Sequence, residues 1–336
     1  MVKDCGGLED EVIGVVGEEI KREGCDCILF SGGIDTGLVA LSAVLAGLRP
    51  RLLTVLYEGS TDERYARYAA EVLGLELHIM RPPTDLLLRC VDEALQAIET
   101  IDPIEVVSAA AVCSGLLKAK DLGCRCVATG DGGDELFIGY DFLLNRGPRE
   151  LSAWLQRVID GAFFNSIPMG ARLGVKVVLP LYCERIKEIA LRSLEEGCSV
   201  RERGERKFGK YLLRSALDRH SLGLIAWRPK DPITRGSGAQ TLLDIMRGMI
   251  GANEAIRLSS TTMIRLPSFP HAYLLKRRIQ LRAPIPPRVS GPGSCPVCGR
   301  ALRGDHCPFC GAYVGGGEVS VYSDELLEVI GRRTVS

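Results

Sequence analysis

The run Cys25-Asp26-Cys27-Ile28-Leu29-Phe30-Ser31-Gly32-Gly33-Ile34-Asp35-Thr36-Gly37 decides how this chain is read. Residues 25–30 are dense in apolar side chains over the length of a buried strand, and Leu38 to Ala46 reads as a helix closed by Gly47. Between them stands a turn of small residues. Such a turn lets backbone N–H groups approach an anion closely, and the helix N-terminus adds partial positive charge. Ser31 and Thr36 add hydroxyl donors. Asp35 is out of place beside an anion unless a divalent cation such as Mg2+ stands between its carboxylate and the phosphates. The plainer alternative is a Gly-rich strand-to-helix turn with an N-capping aspartate. No Gly-Lys-Ser/Thr follows, so this is not a Walker loop.

Outward from this turn, helical and strand patterns alternate. Asp10 to Glu23 carries apolar positions at helical spacing, and Leu52 to Tyr57 reads as a second strand. Ser60 and Glu63 form a capping-box pattern opening a helix that runs to Leu73, with Gly74 as its stop. Leu75 to Met80 is a third strand, helical patterns follow at 85–98 and 104–120, and Cys124 to Thr129 is a fourth strand. The alternation predicts an α/β fold built on a doubly wound parallel sheet. Beyond Pro148 the patterns are mostly helical, at 150–160, 184–194, 207–219 and 241–249. Pro284-Ile285-Pro286-Pro287 and Gly291-Pro292-Gly293 then make a stiff linker, followed by a cysteine-rich module and a short acidic helix over 324–330. The expected organisation is a phosphate-loop core over residues 1–148 and a helical part over 149–283. A linker over 284–294 and a metal module with its tail over 295–336 complete it.

The 336 residues are 46% apolar and 25% charged, an ordinary globular balance that supports a large core. Net charge is zero, so no overall field marks nucleic acid or a membrane as partner. The N-terminus lacks a signal-peptide pattern, and no apolar run approaches the ~20 residues that span a bilayer. The expectation is a cytoplasmic protein without a membrane partner.

Of the 13 cysteines, Cys25, Cys27, Cys124 and Cys126 lie in two expected strands, where filling the core as small hydrophobes is the simpler expectation. Scarce Asn and Gln beside abundant Arg suggest a hot environment, where intracellular disulfides occur; a bridge between the two strands is therefore the alternative. Cys295-Pro296-Val297-Cys298-Gly299 and Cys307-Pro308-Phe309-Cys310-Gly311 repeat a knuckle whose two sulfurs face one point. Four thiolates give tetrahedral Zn2+ at Zn–S distances near ~2.3 Å. A structural zinc ribbon is expected, with rubredoxin-like iron or a disulfide pair as alternatives. So short a unit cannot bury a core, which makes the metal the source of its folding energy.

The turn at 31–36 resembles the PP-loop of the ATP pyrophosphatases, an adenine-nucleotide α-hydrolase-like fold. Within that superfamily, Thr129-Gly130-Asp131-Gly132-Gly133-Asp134-Glu135-Leu136-Phe137-Ile138-Gly139-Tyr140 resembles the second loop of the asparagine synthase family. Glu99-Thr100-Ile101-Asp102-Pro103, Lys207 to Ala216, and Trp227-Arg228-Pro229-Lys230-Asp231-Pro232 are similar to further segments of that family. The resemblance covers about residues 10–280 and implies a reaction: ATP activates a carboxylate as an acyl-adenylate with release of pyrophosphate, and ammonia or an amine then forms an amide. It also implies site residues. Ser31, Gly32, Gly33 and Thr36 would hold the β- and γ-phosphates, and Asp35 and Asp134 would hold Mg2+. Lys230 would place positive charge over the α-phosphate, Gly130 would border the adenylate, and Asp131 would take a proton from the attacking nitrogen. His78, His220, His271 and His306 lie outside these motifs and are read as packing or surface residues.

Two departures accompany the resemblance. Glutamine-using asparagine synthetases begin with a glutaminase domain, whereas Met1-Val2 precedes only a short helix. Nitrogen is therefore expected as free ammonia, from a separate amidotransferase subunit, or from an amine. Gly174 to Cys183 carries Lys176, Val178, Tyr182 and Cys183 where the family shows Glu, Arg and a Pro-Phe-Leu-Asp ending, which leaves the small carboxylate acceptor open between aspartate and another acid. The cysteine module, with Lys276, Arg277, Arg278, Arg282 and Arg288 upstream, supports an alternative: a PP-loop enzyme that modifies tRNA or a protein.

Overall fold

Five short parallel strands realise the alternation: β1 (Cys27–Leu29), β2 (Arg51–Val55), β3 (Leu77–Met80), β4 (Cys126–Ala128) and β5 (Lys176–Val178). They pair in the order β3-β2-β1-β4-β5, with Ile28 opposite both Leu52 and Ala128. β1 and β4 are apolar runs buried on both faces, as central parallel strands with flanking helices must be. The chain leaves β1 toward β2 and β3 on one side, and β4 and β5 lie on the other. The order thus reverses between β1 and β4. In open α/β sheets the crevice at such a reversal, beyond the C-terminal strand ends, is where ligands bind. Both glycine-rich loops follow those two strands.

The computed structural model describes residues 5–204, 206–228, 236–315, 318–324 and 326. Over these the chain forms two units from interleaved stretches, which a division into consecutive domains does not anticipate. One unit comprises residues 5–56, 60–81 and 115–228; the other comprises 57–59, 82–114 and the described residues from 236 onward. The sheet lies in the first. Its core joins Val12, Val16 and Ile20 of α1 (Gly6–Glu23) to Leu38, Val39 and Leu41 of α2 (Ile34–Leu45). Among the described residues no helix is long and apolar enough to cross a membrane.

Local expectations divide by what they depend on. α1 ends at Gly24 and α3 (Glu63–Leu73) at Gly74, each in the left-handed region where glycine is unstrained. The Ser60–Glu63 capping box does not form. Glu63 is drawn to Arg67 and Arg81, at 2.8 and 2.6 Å, and Asp62 occupies the N-cap position instead. The helix expected from residue 207 begins only at Tyr211, because Arg206–Phe208 pairs with Arg201–Arg203 as an antiparallel hairpin. Gly174 to Cys183 contains the edge strand β5, which the sequence reading left without structure. The acidic helix expected over 324–330 lies largely outside the described residues.

The strand cysteines overturn the core-filling expectation and realise the alternative. Cys25 is bonded to Cys126 and Cys27 to Cys124, so the starts of β1 and β4 are doubly stapled; Cys5–Cys198 ties the start of α1 to a distant turn. These bonds close long stretches of chain, with sequence separations of 97, 101 and 193 residues, and the entropy they remove from the unfolded chain grows with that length. Replacing Cys27 and Cys124 together by serine should lower stability by about 2–4 kcal/mol. Denaturant unfolding measures the loss, and an unchanged midpoint would show that the bond does not form in solution.

Candidate active site

The first loop is shaped by close approach. Gly32 has φ +66, and a Cβ there would stand 2.4 Å from the backbone nitrogen of Ala66, so only glycine fits. Ser31 Oγ accepts a hydrogen bond from Gly33 N at 3.2 Å and lies 3.3 Å from Thr36 Oγ1. Gly33 is the N-cap of α2, and among the described residues no side-chain cap hydrogen bond is made there. Its first backbone N–H groups are thereby left for an anion. Asp35 sits one residue inside α2, so the N-capping alternative is not realised.

The second loop brings its acid to the first. Lys210 Nζ donates to Asp35 Oδ2 at 2.6 Å and stands 2.9 Å from Asp134 Oδ1. Lys210 is 5% exposed, and the pair of carboxylates comes from loops nearly a hundred residues apart. Gly139 makes room for this group, since a Cβ there would fall 2.0 Å from Asp134 Oδ1 and 2.3 Å from Lys210 Cε. Burial pushes the Asp35 carboxyl up to about 6, against Lys210 and with Asp134 adding to the rise. Burial alone would lower the Lys210 pKa, but the two carboxylates outweigh it and hold the ammonium charged. Two acids face one base. Asp35 Oδ1 is buried and has no hydrogen-bond partner among the described residues. A hard-oxygen pair with an unpaired buried oxygen fits Mg2+.

Asp131 lies beside this group in a different environment. Its Oδ2 accepts from Ser166 Oγ at 2.5 Å and from Thr129 Oγ1 at 3.0 Å, and burial raises its pKa. Glu135 is held by the Tyr140 hydroxyl at 2.5 Å, and Trp154 Nε1 donates to the Glu135 carbonyl at 3.1 Å. These contacts fix the helical turn that carries Asp134.

The third family segment closes over the first loop. Arg228 donates to Gly32 O at 3.2 Å and to Asp62 Oδ1 at 2.9 Å, with its guanidinium 4.0 Å from the Tyr65 ring centroid. Arg214 in turn holds Ala226 O at 2.7 Å and Arg228 O at 3.3 Å. Lys230, expected over the α-phosphate, lies outside the described residues. The structure therefore brings together Ser31, Gly32, Gly33, Asp35, Thr36, Gly130, Asp131 and Asp134, and adds Lys210, Ser166 and Arg228, which sequence reasoning missed. The available signal was Lys210 and Arg214 inside a stretch already similar to the family, but neither had been given a role.

The departures at 174–183 are occupied by the fold. Lys176 pairs with Glu23 at 2.9 Å, and the Tyr182 hydroxyl donates to Val158 O and accepts from Ala162 N. In the other unit, Cys295 Sγ is 3.7 Å from Cys310 Sγ and Cys298 Sγ 3.5 Å from Cys307 Sγ, and all four sulfurs are buried within 4.8 Å of one another. A tetrahedron of Zn–S bonds near ~2.3 Å has edges of about 3.8 Å, so the spacing suits one metal ion. The disulfide alternative for these residues does not form.

The acid–base balance at Lys210 has a pH signature. The folded-state pKa of Asp35, about 6, lies above its ordinary 3.8, so its contribution to stability is complete below pH 3.8 and is lost as pH rises through 6. Lys210→Met deepens that loss by removing the cation that two partly buried carboxylates share, at a cost of up to about 3–5 kcal/mol near neutrality. The deficit should shrink as the carboxylates protonate toward pH 4, and thermal unfolding across pH reads it. A deficit independent of pH would refute the assignment.

Residues 25–188 match the family model described as Asparagine synthase. Asparagine synthetase B [glutamine-hydrolyzing] of Escherichia coli (strain K12) is 23% identical over 283 residues, 77% of this chain and 50% of that protein. Asparagine synthetase [glutamine-hydrolyzing] of Asparagus officinalis is 30% identical over 123 residues, 34% of this chain and 21% of that protein. The chain spans about half the length, or less, of the curated relatives it matches. Among solved structures, NMN synthetase from Francisella tularensis aligns with a TM-score of 0.32 and 17% identity, over 58% of this chain and 96% of that one. A likeness of that size carries no weight for the chemistry. Over residues 25–188, which hold both glycine-rich loops and both acids of the Lys210 cluster, the chain carries an asparagine synthase domain.

Proposed function

We propose that the chain is an ATP-dependent ligase of asparagine synthase type that forms AMP and pyrophosphate. The observation that carries this reading is the meeting of Asp35 and Asp134 around Lys210, from two loops at the β1/β4 reversal, beside the N-terminus of α2. An oxygen of the acceptor carboxylate attacks the α-phosphorus of ATP, and the bond to pyrophosphate breaks. An amine or ammonia then attacks the acyl carbon, AMP leaves, and the proton lost by nitrogen goes to Asp131. The N–H groups of the first loop, with Ser31 and Thr36, bind the β- and γ-phosphates. Gly130 borders the adenylate, Lys230 supplies charge to the α-phosphate, and Lys210 limits repulsion between the acids. Mg2+ held by Asp35 and Asp134 neutralises polyphosphate charge when bound.

The acceptor is a small carboxylate, and its nitrogen partner is ammonia, delivered free or by an amidotransferase subunit, or an amine. The occupied side chains at 174–183 support an acceptor other than aspartate. The tRNA reading is weakened by its own residues. Lys276 is paired with Glu254 at 2.9 Å, Arg277 with Asp92 at 2.5 Å, and Arg278 is fully buried.

The test is AMP release from α-labelled ATP with Mg2+, comparing no addition, aspartate with ammonium, a panel of small carboxylates with ammonium, and total tRNA. Asp35→Ala should abolish AMP formation under every condition. AMP formed only with tRNA would replace this reading by RNA modification. Asp131 adds a pH signature: burial raises its pKa, and only the carboxylate accepts a proton, so the rate should rise with pH through a value above the ordinary aspartate range. Asp131→Asn should lower the rate by about 10²–10⁴ and remove that acid limb. An acid limb unchanged in the variant would take Asp131 out of the role.

A further inference from the structure

Residues 98–102 run between the helices Thr84–Ala97 and Pro103–Asp121 without helix or strand partners of their own. Ile98, Thr100 and Ile101 are nevertheless buried, and so is Asp102. Buried backbone groups must be satisfied somewhere. Here they are satisfied from two directions within the same unit.

The first is Arg278, the most voluminous fully buried side chain among the described residues. Its Nη1 donates to the carbonyls of Leu95, Ile98 and Thr100 at 2.9, 2.7 and 3.2 Å. It thereby places a cation at the C-terminal end of the helix Thr84–Ala97, where carbonyls lack helical partners. The second is the knuckle Cys307-Pro308-Phe309-Cys310. Phe309 O accepts from Ile101 N at 2.7 Å and from Thr100 Oγ1 at 3.0 Å. Thr100 Oγ1 accepts in turn from Asp102 N at 2.9 Å, and Asp102 Oδ1 accepts from Ile104 N at 3.0 Å at the start of the next helix. Gly311 lies against the same carboxylate, where a Cβ would fall 2.3 Å from Asp102 Oδ2. Cys310 O is 3.1 Å from His271 Nε2, and His271 Nδ1 is 2.7 Å from Ser268 Oγ.

We infer that the four-cysteine centre is a latch on residues 99–103: metal occupancy holds the Phe309 and Cys310 carbonyls where they bind Ile101, Thr100 and His271. The ribbon then acts on its own chain, and the start of the helix Pro103–Asp121 is ordered by the metal. The inference is independent of the reaction proposed above. Coupling of this kind is reciprocal, so weakening the latch must loosen the metal.

The experiment uses the full chain loaded with zinc and a chromogenic chelator that reports zinc release. Thr100→Val keeps the side-chain shape but removes one donor to Phe309 O and the acceptor for Asp102 N. Release should be about five-fold faster, the factor expected for one net hydrogen bond. His271→Phe, which removes the contact to Cys310 O, should also release faster. Release at the parent rate in both variants would overturn the latch, as would a chain that retains no metal. Hydrogen exchange on the chelated full chain gives the converse reading. Ile101 and Asp102 should lose protection together with 295–312 while the helix Thr84–Ala97 keeps its own. Ribbon exchange alone, or loss of protection through that helix as well, would each refute a local latch.

Discussion

The ammonium of Lys210 between Asp35 and Asp134 is the interaction on which the rest of the site depends. Two carboxylates from separate loops cannot share a partly buried space unless a cation lies between them, because like charges in a poor dielectric repel strongly. Lys210 supplies that cation, and the fold supplies Lys210. It caps the helix Tyr211–Arg219 in the left-handed region and passes under Gly139. Around this point the other loops fall into place. Arg214 holds the backbone of Arg228, and Arg228 holds Gly32 and Asp62.

The geometry also explains why three carboxylates in one loop region have three fates. Asp134 faces Lys210, Glu135 is fixed by Tyr140, and Asp131 is held by two hydroxyls, with no cation against it among the described residues. Hydroxyl donors orient a carboxylate without committing it to the charged state as firmly as an ammonium does. Among these acids Asp131 has hydroxyl donors as its partners, while Asp35 and Asp134 share the Lys210 ammonium.

The two units are secured by different chemistry. Disulfides staple the start of β1 to that of β4 and α1 to a remote turn, all within the sheet-bearing unit. The other unit has a cluster of four cysteine sulfurs and a buried Arg278 whose hydrogen-bond partners among the described residues are carbonyls. A guanidinium so placed satisfies several carbonyls from one centre, a service lysine cannot perform with a compact ammonium. Of the basic residues at 276–288, Arg278 is this internal scaffolding, Lys276 and Arg277 are paired with acids, and Arg282 and Arg288 are exposed.

What the sequence determined by itself was local. Apolar runs of strand length, helical periodicity and stop glycines set the elements, and small residues after β1 and β4 marked both loops, because these signals depend on neighbours a few positions away. The paired Cys-x-x-Cys units were legible for the same reason. What only the tertiary structure decided was every pairing across distance. Lys210 reaches Asp35 across 175 residues, Arg228 reaches Gly32 across 196, and Ser166 reaches Asp131 across 35. The strand cysteines could fill a core or bridge it until the parallel register of β1 and β4 set them side by side. The capping box failed for a like reason: its glutamate had better partners in Arg67 and Arg81, the second of them beyond the helix it was meant to open. Charge and sulfur bond to whatever the fold brings near, and proximity in space is not written in spacing along the chain.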